Sequence, residues 1–159
     1  MLLEKTTMVE EKKWKKEISA GGVVYKKENG QIFVLLINPR SRDFGPPEDY
    51  WTFPKGKQDK EGEDLKAVAL REVREEGGVN AQIEAELGYV KYFRNWHGDS
   101  AFKLVHHFLM KYLDGNTDDH DQEVATAAWF PLEEAEAKLK FDTDKEIFTK
   151  AKKILDSKF

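Results

Sequence analysis

Residues 63–79 read Glu63-Asp64-Leu65-Lys66-Ala67-Val68-Ala69-Leu70-Arg71-Glu72-Val73-Arg74-Glu75-Glu76-Gly77-Gly78-Val79. The stretch from Asp64 to Gly77 is expected to form one helix. At about 100° per residue, Glu72, Glu75 and Glu76 fall in one arc roughly 100° wide, together with Leu65 and Val68. The arc begins apolar, as a core-facing stripe does, and ends in three carboxylates. Carboxylates crowded on a half-buried face repel one another and are costly to desolvate. They also occupy the last turns, where the helix dipole opposes negative charge. A divalent cation would relieve all three penalties, so the helix is read as metal-binding and catalytic. For a bare Glu-Glu pair a solvated acidic face would be the favoured explanation; the surrounding residues decide against it.

The chain has 159 residues, 40% of them hydrophobic and 12% aromatic, which suits one globular domain with a substantial core. Net charge is −4 without a long basic block, so a stable nucleic-acid partner is not expected. The absence of cysteine excludes disulfides, thiolate zinc sites and a cysteine nucleophile. The four histidines, His97, His106, His107 and His120, lack zinc-ligand spacing. The start, Met1-Leu2-Leu3-Glu4-Lys5, has no signal-peptide core, and no apolar run approaches spanning length. The expectation is therefore a cytoplasmic protein with no membrane partner, monomeric or homodimeric.

Outward from the helix, residues 1–16 read as a charged arm and 17–159 as one domain. Ile18 to Lys27 is expected to be a strand, with Gly21-Gly22 marking a bulge or a close backbone approach. Glu28-Asn29-Gly30 makes a hairpin turn. Gln31 to Asn38 is a continuous apolar strand, covered on both faces. Pro39 to Asp49 is a loop, Trp51 to Phe53 a short strand, and Pro54 to Gly62 a loop feeding the helix. After Gly77-Gly78, strands are expected over Ala81–Trp96, Ala101–Leu113 and Ala125–Phe130, with an acidic loop from Asp114 to Gln122. Pro131 opens a helix, and Thr143 with Glu146 caps a last one. The class is α+β.

Gly56, Glu63, Arg71-Glu72-Val73, Glu75-Glu76, Gly78 and Val79 resemble the signature of the Nudix hydrolases. The match runs from Arg71 to Val79 without a mismatch. The loop from Lys57 to Gly62 holds one residue more than the family usually has between its first glycine and first glutamate. Gly21-Gly22-Val23-Val24 is similar to the family's first core strand, and Trp129-Phe130-Pro131-Leu132-Glu133-Glu134-Ala135 to its usual tail. The resemblance implies an α/β/α sandwich around a mixed central sheet, with the signature as a catalytic loop–helix–loop. It also implies water-driven cleavage of a nucleoside diphosphate linked to another moiety, with Mg²⁺, for which Mn²⁺ can substitute.

On that resemblance, Glu72, Glu75 and Glu76 hold the metal, the Gly56 carbonyl adds a ligand, and Glu63 is a peripheral ligand or brace. Arg71 orients the carboxylates through charge-assisted hydrogen bonds. The general base is Glu72 or Glu123, the latter resembling a distant loop glutamate of the dinucleoside polyphosphate hydrolases.

Trp51-Thr52-Phe53-Pro54-Lys55-Gly56-Lys57 resembles the diadenosine polyphosphate hydrolase branch. Lys55 and Lys57 would bring two cations to the metal site, suited to a long phosphate chain. Lys103 and His107, four apart on a strand, share a face and can reach the same cleft. Tyr92 is a candidate for base stacking; Arg40 and Arg42 could meet phosphates, but solvated loop charges are the expected reading. Dinucleoside polyphosphates are the expected substrates. Oxidised nucleoside triphosphates, inositol pyrophosphates, RNA 5′ ends and a non-catalytic nucleotide- or RNA-binding role remain open at this point.

Overall fold

The computed structural model describes residues 14–96 and 99–159. Among them, a mixed sheet of six strands carries helices on both faces. The strands are β1 (Trp14–Glu28), β2 (Gln31–Pro39), β3 (Lys55–Lys57), β4 (Val79–Trp96), β5 (Asp99–Gly115) and β6 (Val124–Pro131). The path across the sheet is β4-β5-β1-β2-β6, with β3 pairing to β1 off this path. The β1–β5 pairing is parallel and the others are antiparallel. The helices are α1 (Leu65–Gly77), α2 (Leu132–Lys138) and α3 (Asp142–Lys158). This is the α+β class, with a mixed sheet between helical layers.

The period-two pattern of β1 and β2 builds both cores. Val23, Tyr25, Val34 and Leu36 pack with Ile147, Phe148, Ala151 and Leu155 of α3. The residues between them, Ala20, Val24, Leu35 and Ile37, pack with Val68, Ala69 and Val73 of α1. Both faces of β2 are therefore covered, as its unbroken apolar run demands.

Several boundaries differ from the sequence reading. Strand β1 begins at Trp14, so residues 14–16 of the expected arm pair with Ser100, Ala101 and Phe102 of β5; the rest of that arm lies outside the described residues. Lys55–Lys57, expected to be loop, is strand β3 and pairs with Ser19, Ala20 and Gly21. Trp51 and Thr52 make only isolated bridges, to Leu139 and Ile37. At α3 the N-cap is Phe141 rather than Thr143. Asp144, in its first turn, is buried.

Candidate active site

Helix α1 starts where the Asp64 side chain accepts from the Lys66 N–H. It ends where Gly78 takes a left-handed conformation (φ 77°) and its N–H returns to the Arg74 carbonyl, the conformation glycine adopts without strain. Its buried stripe is Val68, Ala69, Val73 and Gly77. Glu72 and Glu76 border that stripe and are half-buried, while Glu75 is exposed.

Strand β3 is laid against this edge of the helix. The Lys55 N–H donates to Oε1 of Glu76 at 2.8 Å. The Glu72 carboxylate packs on the Gly56 backbone so closely that a Cβ at residue 56 would overlap it. Gly22 donates to the Pro54 carbonyl at 3.1 Å, and a Cβ on Gly21 would strike that same carbonyl. The glycine pair in β1 thus marks a close backbone approach.

Arg71 ties the loop to the helix. It pairs with Glu63, donates to the Lys57 carbonyl at 3.2 Å, and lies 3.3 Å from Asp59, 3.8 Å from Glu72 and 4.0 Å from Glu75. Glu63 also accepts from the Asp59 N–H at 2.8 Å. That backbone bond, with Arg71, holds its carboxyl below the usual carboxylate range. Gly62 turns the chain at φ 82° just before Glu63, and the Glu63–Arg71 pair is formed. Glu63 braces the loop and does not line the cleft described next.

One cleft of about 410 Å³ gathers Lys55, Gly56, Lys57, Glu72 and Glu76, together with Tyr92, Lys103 and Glu123. Burial pushes Glu72 up to about 7, aided by Glu75 and then Glu123 and Asp121, and opposed by Arg71. Burial pushes Glu76 up to about 8, reinforced by Glu72 and Asp121 and opposed by the Lys55 N–H and charge. The acidic loop is pinned to the helix end by the Asp121 N–H, which donates to the Glu75 carbonyl at 2.7 Å.

Among the described residues, no three acidic or histidine side chains are gathered at metal-binding distance. The donor set nonetheless suits a hard divalent cation: all donors are oxygen, two carboxylates are partly desolvated, and neighbouring acids raise both. Glu72 and Glu76 could hold such an ion, beside the Gly56 backbone on which Glu72 packs. Glu75 is at the solvent edge.

The cation side differs from expectation in one respect. Lys57 and Lys103 line the cleft, and both are engaged by Glu17 of β1, at 3.2 and 3.6 Å. Tyr92 lies under Lys103, whose Nζ is 5.7 Å from the ring centre. His107, expected to reach the same cleft, instead lines an adjoining apolar chamber of about 400 Å³. There it is 1% exposed, meets Phe53 edge-on at 6.0 Å, and is pushed down to about 3 by burial and by the Lys55 charge. His107 is therefore neutral and carries no charge to offer a phosphate, and it is absent from the lining of the glutamate cleft. His106 points to the other face of the sheet, against Tyr89.

Sequence reading missed Glu17, Thr52 and Asp144. Asp144 Oδ2 accepts from the Thr52 hydroxyl at 2.7 Å, and Lys55 Nζ lies 3.4 Å from the same hydroxyl. Burial raises the Asp144 carboxyl; the Lys55 charge and the Thr52 bond oppose that rise. No local pattern announces these contacts, since Thr52 and Asp144 are 92 residues apart. No helix is long and apolar enough to cross a membrane among the described residues.

Residues 15–151 match the NUDIX domain. A Mycobacterium tuberculosis protein that carries the name MutT4 is 34% identical over 146 residues, which are 88% of this chain and 56% of that protein. The chain thus spans little more than half of that relative's length, and 35% of Nudix hydrolase 2 from Arabidopsis thaliana. Among solved structures, a NUDIX hydrolase from Nitrosomonas europaea superposes with TM-score 0.68 at 20% identity, covering 87% of this chain and 90% of that one. A C. elegans Ap4A hydrolase superposes with TM-score 0.60 at 26% identity, covering 87% and 98%.

Proposed function

The chain belongs to the Nudix family, and from that premise we propose that it is a metal-dependent pyrophosphohydrolase of nucleoside-diphosphate-linked substrates, dinucleoside polyphosphates first among them. The observation that carries this reading is the pairing of Glu72 and Glu76 in one cleft, partly desolvated and both held above the usual carboxylate range. Such a pair is costly without a cation and productive with one.

In this reading Glu72 and Glu76, with Glu75 at the edge and the Gly56 carbonyl, hold Mg²⁺ or Mn²⁺. The ion supplies charge neutralisation at the phosphates and a lowered pKa for water. Arg71 keeps the glutamates and the loop in register from behind, and Glu63 keeps Arg71. Lys55, Lys57 and Lys103 bind the phosphate chain, and Tyr92 supports Lys103 from below.

Glu123 is the general base we favour. It is exposed and lines the cleft, while Glu72 is packed on Gly56. Its backbone is fixed by the Arg40 N–H, which donates to the Glu123 carbonyl at 2.9 Å, and by its own N–H bond to Asp121 at 3.1 Å. The water oxygen forms a bond to phosphorus, the bridging P–O bond breaks, the departing phosphate keeps the electron pair, and the proton passes to Glu123.

The lysine-rich cleft and the 26% likeness to an Ap4A hydrolase support dinucleoside polyphosphates as substrates. A soluble cytoplasmic protein, monomeric or homodimeric, is part of the same reading. A panel of dinucleoside polyphosphates, nucleoside triphosphates, inositol pyrophosphates and capped RNA, with Mg²⁺ and Mn²⁺, tests it. Preferred release of a mononucleotide from the first class is the expected result. Absence of turnover across the panel would make the chain a binding member of its family.

A further inference from the structure

Two of the recesses that adjoin the cleft share different residues with it. The apolar chamber shares Tyr50, Lys55 and Tyr92. A second recess, about 370 Å³, shares Pro39, Glu76 and Glu123 and is otherwise walled by the loop from Arg40 to Phe44. The two carboxylates that the cleft has in common with this recess thus belong to two linings, each of which carries cations. Lys55, Lys57 and Lys103 lie on the cleft side, and Arg40 and Arg42 on the recess side.

The loop is built in an unusual way. Asp43 and Phe44 both take left-handed backbone conformations, φ 59° and 55°. Such conformations are uncommon for residues other than glycine and are strained for a bulky side chain. Backbone bonds hold the turn: Ser41 to Pro46 at 2.9 Å, Gly45 to Ser41 at 3.2 Å, and Glu48 to Pro39 at 2.8 Å. The Arg40 N–H bond to Glu123 joins the loop to the cleft wall. The outcome is a phenyl ring that is 60% exposed at the edge of a recess carrying two guanidinium groups. Aromatic faces take bases sequence-tolerantly, and guanidinium groups take phosphates in a fixed fork geometry.

We infer that the recess between Arg40 and Phe44 is a second substrate subsite, for the nucleoside phosphate end that lies beyond the Glu76–Glu123 side of the cleft. Phe44 stacks on the base, and Arg40 and Arg42 bind the distal phosphates. The inference rests on the hydrolase reading above and narrows it to substrates with two heads. A polyphosphate crossing the two carboxylates meets cations on both sides. An inositol pyrophosphate has no flat face for Phe44, and a nucleoside triphosphate has only one head.

Calorimetry with methylene-bridged, non-hydrolysable analogues tests the subsite without relying on turnover. A dinucleoside tetraphosphate is compared with a mononucleoside tetraphosphate in Mg²⁺. The unaltered chain is expected to bind the two-headed analogue about tenfold more tightly. Phe44→Ala removes that ratio, Phe44→Tyr restores it, and Arg42→Ala lowers it most at low salt. Thermal melts verify that each variant is folded. Equal affinity for the two analogues, no binding of either, or a ratio that survives Phe44→Ala overturns the subsite. The hydrolase reading fails separately, by absence of metal-dependent turnover while the affinity ratio stands.

Discussion

The backbone N–H of Lys55 donates to Oε1 of Glu76 at 2.8 Å, so the strand that carries two candidate phosphate-binding lysines is docked on the helix that carries the candidate metal ligands. Glu76→Gln preserves an acceptor for that N–H while removing the charge a cation requires. Metal-dependent hydrolysis is expected to fall by about 10²-fold or more, with a folded protein and a melting temperature at or above the original. Near-normal turnover in this variant would overturn the assignment of the site.

Glu72 at about 7 and Glu76 at about 8 both stand above the ordinary value of 4.5. A folded-state pKa raised in this way contributes stability that is full below the unfolded value and lost as pH rises through the folded one. The metal-free chain should therefore melt lower near pH 8.5 than near pH 5.5, insofar as these two groups dominate. Cation binding needs both ionised, so the stabilisation by Mg²⁺ should grow over the same window and protons should be released on binding. Melting curves with and without Mg²⁺, and calorimetry in two buffers, check this. A metal effect independent of pH would exclude these two carboxylates as ligands.

Lys57 and Lys103 share Glu17, which neutralises part of their charge before substrate arrives. Lys57→Ala and Lys103→Ala are each expected to raise KM for a polyphosphate substrate by roughly 3- to 10-fold with a smaller change in kcat. The effect should shrink as salt is added, because screening acts on exposed charges. A loss confined to kcat would move these lysines from phosphate binding to the chemical step.

His107 is pushed down to about 3 from 6.5 by its burial. Its neutral form is the folded one, so its contribution to stability is full above about pH 6.5 and is lost as pH falls towards 3, at about 1.4 kcal/mol per pH unit. His107→Phe keeps the contact with Phe53 and removes this titration. Denaturant titrations across that range should show a shallower acid limb for the variant. An unchanged slope would mean that the ring is protonated or solvated in the native state.

Thr52→Val leaves Asp144 buried without its hydroxyl donor, at a cost of about 1–3 kcal/mol. It also removes the oxygen 3.4 Å from Lys55 Nζ, so KM for a polyphosphate should rise as stability falls. Thr52→Ser should restore both. Urea unfolding together with steady-state kinetics separates the two effects; a stability loss without any change in KM would confine the contact to the fold.

Much of the site was legible because its information is local. Helix α1 and its stop at Gly77-Gly78 follow from periodicity and from the known end preference of glycine, whereas the cap at Asp64 emerged only from the structure. The grouping of Glu72 and Glu76 follows from the same period. Strand β3 is not legible in the sequence because a three-residue strand carries almost no periodic signal; its pairing with Ser19 to Gly21 is a long-range event. The start of β1 at Trp14 was hidden in the same way, behind a charged composition that parallel pairing with β5 overrides.

Sequence alone determined which residues form the acidic helix, which strands are covered on two faces, and which family the chain resembles. These depend on spacing along one segment of backbone. Only the tertiary structure decided that Glu17 meets both Lys57 and Lys103, that Asp144 reaches Thr52, that His107 belongs to an apolar chamber, and that Phe44 stands beside Glu123's recess. Each joins residues from elements separated in the chain, and their proximity is set by sheet order and helix packing, which local residue preferences do not encode.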